Sequence, residues 1–245
     1  MLSLVVPTYN ERSSLEILLP RLDKIASEIE GHLEVVVVDD NSPDGTAEFA
    51  DRFTPQSDMT VLVVKRAGKF GLASAVIEGW RAARGDLLGV MDADGSHDET
   101  ILPAMVASLR DGYAEVAVGS RYVDGGGMGD WPLVRQLISR VAVILGGFLC
   151  PAKDVTSGYL TFRKEVLEGV SLDPIGFKIG LEVMVRGRYR TFTEVPYVFT
   201  DRKKGRSKLG LREVMAYLVQ LSRLLAYRYR HPHQRRRWQR VEEGL

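Results

Sequence analysis

Cysteine is nearly absent: Cys150 is the only one in 245 residues. A single thiol makes neither an internal disulfide nor a four-cysteine zinc site, so a small secreted scaffold is excluded and a reducing, cytosolic setting is expected. Long hydrophobic runs are missing too. The longest charge-free stretch, Val141 to Ala152, is 12 residues, against the roughly 20 that a spanning helix needs. No transmembrane helix is therefore expected, and the strand-like sequence from Leu2 onward does not read as a secretory leader. Two nucleotide-binding signatures also fail. Pro7–Arg12 contains no glycine, which removes the dinucleotide fingerprint, and Gly68–Ser74 does not end in the Gly-Lys-Ser or Gly-Lys-Thr of a P-loop.

What is present is enough for a large core: 45% of the residues are apolar and 27% charged, with 24 Gly against 10 Pro. That balance excludes collagen-like and disordered chains and suits one α/β domain. Charge is unevenly placed. From Arg202 to Arg240, 13 Lys or Arg accompany one acid, Glu213, a net of +12; since the whole chain carries +1, the remainder carries −11. An acidic body with a basic C-terminal segment suits an anionic partner such as a membrane surface, a phosphorylated ligand or nucleic acid. The segment contains no recognisable nucleic-acid module, so a nucleic-acid-binding or nucleotide-binding regulator is the weaker reading and no nucleic-acid partner is expected.

Val- and Leu-rich runs recur at Leu2–Val6, Leu33–Val38, Val61–Val64, Leu87–Met91 and Val116–Val118, nearly continuous as in strands buried on both faces. Helix-period stretches separate them at Ser14–Glu30, Thr46–Phe53, Leu72–Ala83 and Glu99–Arg110. The alternation predicts an α/β fold, a mostly parallel sheet with helices on both faces. After Gly119 a glycine cluster, Asp124 to Asp130, reads as a mobile loop or lid. Helical sequence resumes at Leu133–Leu149, and strands at Tyr159–Phe162 and Phe192–Phe199 flank a helix around Phe177–Arg186. A last amphipathic helix, Leu211–Ala226, precedes basic and aromatic residues.

In a parallel sheet, ligands bind beyond the carboxyl ends of the strands. Four polar clusters stand there: Pro7 to Glu11, Asp39 to Gly45, Lys65-Arg66 and Asp92-Ala93-Asp94. Carboxylates gathered on one edge repel each other, and a hard divalent cation, Mg²⁺ or Mn²⁺, relieves that repulsion while bridging to substrate phosphates. Asp39 and Asp40 could alternatively hold a ribose, but the glycine fingerprint that reading needs is missing.

Taken together, Pro7-Thr8-Tyr9-Asn10-Glu11-Arg12, Val38 to Thr46, Met91 to His97 and Gly119-Ser120-Arg121-Tyr122 resemble family 2 glycosyltransferases of the GT-A fold. They are most like the dolichyl (polyprenyl) phosphate mannose synthase group. The resemblance continues through Trp131-Pro132, Arg135, Ser139, Asp154 to Tyr159, Pro174 to Ile179 and Gly205 to Leu209, covering Leu2 to Leu211.

The resemblance implies a GT-A catalytic domain over 1–210 and a membrane-surface segment, an amphipathic helix with a basic tail, over 211–245. It implies transfer of mannose from GDP-mannose to dolichyl or polyprenyl phosphate, with glucose from UDP-glucose as the alternative donor. Pro7, Tyr9, Glu11 and Asp39 or Asp40, with Ala93 and Asp94, would bind the donor. Asp92 and Asp94 would hold the metal, with Ser96, where many relatives have Gln, joining directly or through water. Arg121, Arg135 and Ser139, with Arg202, Lys204 and Lys208, would take the acceptor phosphate, which makes Asp92, Asp94 and Arg121 the catalytic set. Which of Arg202, Lys203 and Lys204 makes that contact stays open.

The chemistry agrees. A lipid monophosphate is mostly a dianion at neutral pH, its second pKa being about 6, so no general base and no Ser-His-Asp array is required. In-line attack would invert the sugar carbon. Without the resemblance, Arg121 and Arg135 would be expected to pair with Asp124 and Asp130 on the surface. His97 reads equally as a partner of the metal aspartates or as a helix cap, and Cys150 as a buried small hydrophobe. The terminal helix is expected to pack its apolar face on the catalytic domain and offer its Arg-rich tip to the cytoplasmic face of a membrane.

Overall fold

The computed structural model describes residues 1–129, 131–173, 175, 178–200, 211–231 and 238–241. Among these, eight strands form one sheet: β1 (Leu2–Thr8), β2 (Leu33–Asp39), β3 (Thr60–Lys65), β4 (Leu87–Val90), β5 (Val116–Ser120), β6 (Leu160–Arg163), β7 (Thr191–Pro196) and β8 (Gln239–Arg240). Their order is β3-β2-β1-β4-β6-β5-β7-β8, and only β6 runs against the rest. The winding reverses between β1 and β4, each parallel to the other and on opposite arms of the chain path. That reversal opens a crevice beyond their carboxyl ends.

Among the described residues seven α-helices cover the sheet: α1 (Arg12–Ile25), α2 (Thr46–Arg52), α3 (Leu72–Ala82), α4 (Leu102–Arg110), α5 (Leu133–Gly147), α6 (Ile179–Arg186) and α7 (Leu211–Arg230). Because successive strand side chains alternate faces, the Val-rich β2 feeds two cores at once. Leu33, Val35 and Val37 pack with Leu15, Leu19 and Leu22 of α1 and Met105 of α4. Val36 and Val38 pack with Val76 of α3 on the other face, a core that continues through Phe162, Leu181 of α6 and Leu224 of α7. Trp80 meets Phe162 edge to face at 5.0 Å. Gly79 lets α3 lie close: a Cβ there would stand 2.5 Å from Val5 Cγ1 and 2.9 Å from Val38 Cγ2.

The predicted helices and strands are present, with two departures. The glycine cluster is pinned. Gly127 N donates to Tyr197 O (3.1 Å), Phe199 N donates to Gly127 O (2.9 Å), and a Cβ at Gly126 would stand 2.6 Å from Ser120 O. These glycines permit close backbone approach within the segment that the sequence reads as a mobile loop or lid. The basic tail also returns to the sheet, as β8 beside β7, with Trp238 stacked on Tyr189 at 6.2 Å.

The two long helices of the second half leave much apolar surface uncovered. On α7, Tyr217, Gln220 and Leu224 are buried, while Val214, Met215, Leu218 and Leu225 are exposed. The apolar face expected to pack whole on the domain is thus divided between core and solvent. Beside it α5 exposes Leu133, Val134, Leu137, Val141 and Ile144, and Phe148 follows at 76% exposure. Tyr217 Oη donates to Ala142 O (2.7 Å), joining the helices into one surface. No described helix is long and apolar enough to cross a membrane.

Candidate active site

Loops leaving β1 and β2 are stitched together by short polar side chains. Asn10 N donates to Ser42 Oγ (2.9 Å), Glu11 N to Thr46 Oγ1 (3.1 Å) and Arg12 N to Asp44 Oδ2 (3.2 Å). Asn10 and Asn41 both adopt left-handed backbone, at φ 59 and 61, which Asn tolerates better than most residues. Pro7 is the penultimate residue of β1, and Tyr9 is 37% exposed with Lys69 Nζ 3.7 Å above its ring. Glu11 accepts from Ser14 Oγ at 2.6 Å.

Asp39 and Asp40, adjacent in sequence, go to different partners. Asp39 accepts from Thr8 Oγ1 (3.0 Å) and Ser42 N (2.8 Å). Asp40 pairs with buried Arg66 and accepts from the amides of Phe70 and Gly71, both at 3.1 Å. Arg66 also reaches Glu78 (2.8 Å) and Ser74 (2.9 Å). Asp40 therefore anchors the segment that starts α3.

Asp92 and Asp94 follow β4 directly, at the crevice. Asp92 N donates to His97 Nδ1 (3.1 Å), and Asp94 Oδ1 accepts from Ser96 N (3.0 Å). Gly95, at φ +73, makes the tight turn between Asp94 and Ser96, while Ala93 packs into the core. His97 lies stacked on Tyr159 (5.0 Å), with Tyr197 and Phe199 edge-on to it. Burial holds its pKa below the ordinary value against the pull of Asp92 and Asp94, so it is a neutral acceptor that fixes the aspartate loop. The cap is Asp98, which accepts from Thr100 N.

The Ser96 hydroxyl is buried with no hydrogen-bond partner among the described residues. Two half-buried carboxylates and an unmatched hydroxyl make an all-oxygen donor set that suits Mg²⁺ or Mn²⁺. Among the described residues no three His, Cys, Asp or Glu form a closed cage.

Arg121, beyond β5, is 8% exposed. Its Nε and Nη2 bond to Asp154 at 2.7 and 2.8 Å, and Nη2 also reaches Thr156 Oγ1 at 2.8 Å. Burial would raise Asp154, but these bonds and the arginine charge outweigh it and hold the carboxyl below its ordinary value. Asp154, not Asp124, is the partner of Arg121. Arg135 of α5 stacks 3.8 Å above Trp131, and Arg121 lies 5.6 Å from the same ring. Ser139, one turn along α5 from Arg135, accepts from Tyr122 Oη at 2.8 Å. The three predicted phosphate residues are thus gathered around Trp131, Phe199 and Tyr122. Arg202, Lys204 and Lys208 lie outside the described residues, as does Asp130.

Residues 3–170 match Glycosyl transferase family 2. The chain belongs to this family. Among relatives of this family 2 chain, the dolichol-phosphate mannosyltransferase of Pyrococcus furiosus is 42% identical over 229 residues, 92% of this chain. The chain spans 64% of that relative's length. The polyprenol monophosphomannose synthase of Mycolicibacterium smegmatis is 36% identical, over 86% of this chain and 83% of its own. A mannosyltransferase from Pyrobaculum calidifontis, solved with GDP-mannose and Mn²⁺, superposes at a TM-score of 0.61 with 21% identity, covering 94% of this chain and 69% of that one. It shares the fold.

Two residues were not assigned roles from the sequence. Asp154 directly follows Lys153 after the charge-free stretch, and Lys178 is the lone charge within Pro174 to Leu181. For Lys178 a lone charge in apolar sequence is a readable signal; for Asp154 the sequence carries none.

Proposed function

We propose that the protein transfers mannose from GDP-mannose to dolichyl or polyprenyl phosphate in a metal-dependent reaction at a membrane surface. The observation that carries this reading is placement: Arg135 and Ser139 sit on α5, the same helix that exposes a run of large apolar side chains. A phosphate held there would have its hydrocarbon chain leave along an apolar surface. The P. furiosus and M. smegmatis relatives, named for transfer of mannose to dolichol and polyprenol phosphates, support the acceptor class.

The stitched loops after β1 and β2, with Pro7, Tyr9, Glu11 and Asp39, would hold the nucleoside. Asp92 and Asp94, with Ser96, would hold Mg²⁺ or Mn²⁺, and the bound ion supplies charge stabilisation to a departing diphosphate. Arg121, kept charged and oriented by Asp154, and Arg135, braced on Trp131, would bring the acceptor phosphate to the sugar carbon. An arginine's planar fork suits two phosphate oxygens at once. The phosphate oxygen is itself the nucleophile, so attack from the face opposite the diphosphate inverts the sugar carbon. The unit 1–210 would carry catalysis, and α7 with the basic residues of 211–245 would join α5 against the cytoplasmic face of the membrane.

A transfer assay tests this: purified protein, short-chain polyprenyl phosphate, Mn²⁺, and GDP-mannose or UDP-glucose in parallel, read by product mass. Mannosyl lipid from GDP-mannose, abolished by EDTA and by Asp94→Asn, is the expected outcome. Product from UDP-glucose alone overturns the donor, and an α-linked product overturns the inverting attack.

A further inference from the structure

Lys178 stands just before α6 and turns toward the phosphate site. Its Nζ donates to Thr156 O at 3.0 Å, and the hydroxyl of the same threonine accepts from Arg121 Nη2 at 2.8 Å. One threonine therefore links the lysine to the buried arginine. From the other side, Gln220 of α7 donates through Nε2 to Lys178 O at 3.0 Å. Gln220 is fully buried beside Tyr217 and Leu224, and its Oε1 has no partner among the described residues. A half-satisfied amide in an apolar helix face costs stability, so its position calls for a reason other than packing.

We propose that Lys178 is a third cation of the acceptor-phosphate site, its Nζ contacting the phosphate alongside Arg121 and Arg135, and that Gln220 is the positioning residue holding it there from α7. The proposal rests on the acceptor reading above and names a further residue of that site. Two cations held so close are unfavourable in the empty protein. Burial and Arg121 push the lysine down to about 8, against the attraction of Asp154 and Asp92. A dianionic phosphate relieves both costs, so the arrangement fits an anion that comes and goes. Gln220 also ties the lysine to the helix whose other face is exposed and apolar, joining the surface that would meet lipid to the group that would meet its phosphate.

The test uses the full chain with Lys178→Met, Lys178→Arg, Gln220→Met and the Lys178→Met/Gln220→Met double variant. Three quantities are read: mannosyl transfer, binding of geranyl phosphate without donor, and GDP–Mn²⁺ affinity. Lys178→Met is expected to lower kcat/KM for the acceptor about 100-fold, the scale for losing one preorganised donor. It should weaken geranyl phosphate binding about tenfold while GDP–Mn²⁺ affinity stays within about threefold, with part of the loss restored by Lys178→Arg. Its melting temperature should hold or rise, because a disfavoured charge is gone. Gln220→Met is expected to lower kcat/KM about tenfold alone and to add nothing in the Lys178→Met background, since residues acting as one unit are not additive.

Wild-type phosphate binding by Lys178→Met, or a loss traced wholly to GDP–Mn²⁺ affinity, overturns the lysine assignment. An equal Gln220→Met effect in both backgrounds overturns the positioning role. If wild type binds geranyl phosphate through Lys178 yet transfers no mannose, the lysine assignment stands and the donor reading fails.

Discussion

Replacing Asp154 by Ala leaves the Arg121 guanidinium buried without its counter-charge. The two side chains are 7% and 0% exposed and meet through two hydrogen bonds, with a third from Arg121 N to Asp154 Oδ2. Removing one partner of such a pair costs about 3–5 kcal/mol, most of it from the stranded charge. For a chain of this size each kcal/mol moves the melting temperature by about 2–4 °C, so a drop of roughly 6–20 °C is expected. Circular dichroism melts of wild type, Asp154→Ala and the Arg121→Met/Asp154→Leu double variant make the measurement. The double variant should recover most of the loss, because an apolar pair of similar volume carries no desolvated charge. The sign with pH follows from the direction of the shift. Asp154 titrates below its ordinary value of 3.8 when folded, so its contribution is complete above that value and fades as pH falls through the lower folded one. The gap between wild type and Asp154→Ala should therefore be constant near neutrality and close only in strong acid. An Asp154→Ala melt within about 2 °C of wild type near pH 7 would refute the reasoning.

Other outcomes follow from the same geometry. Burial lowers the His97 pKa from 6.5, so the unfolded chain takes the proton first and stability is lost as pH falls below about 6.5; the acid-side slope of melting temperature should be shallower in His97→Asn, which retains an acceptor for Asp92 N. Cys150 is 2% exposed and its thiol is pushed up to about 12 by burial; native protein at pH 8 should resist iodoacetamide by mass spectrometry and react only when unfolded. Ile144→Asp with Phe148→Asp should reduce sedimentation with anionic vesicles about tenfold or more, since each inserted side chain contributes about 1.5–3 kcal/mol, while melting temperature stays unchanged because both stand in solvent already.

The sheet was readable because β1, β2 and β4 are nearly continuous apolar runs, and the family because polar motifs follow those runs in order. Asp92 and Asp94 were readable for the same reason: their meaning comes from the strand that precedes them. What escaped depends on contacts distant in sequence. The glycine cluster reads as a loose loop until Tyr197 and Phe199 are seen to bind Gly127, some 70 residues away. The periodicity of α5 predicts a helix but not which neighbour covers it, and here most of its apolar side is left open. Strand β8 is two residues long, too short for any pattern, and forms because β7 offers an edge. Gln220 looks like an ordinary polar residue of an amphipathic helix, and only its zero exposure marks it out.

Strand β8 also bears on how the chain would sit on a bilayer. Since the sequence beyond α7 is hydrogen-bonded into the sheet edge beside β7, that helix is fastened along its length by Tyr217 and beyond its end by β8. Against a bilayer it would serve as a gunwale, not as a hawser. On the proposed reading the height of the reacting carbon above the lipid headgroups would be set by the fold, and a polyprenyl phosphate would have to rise to that height to react.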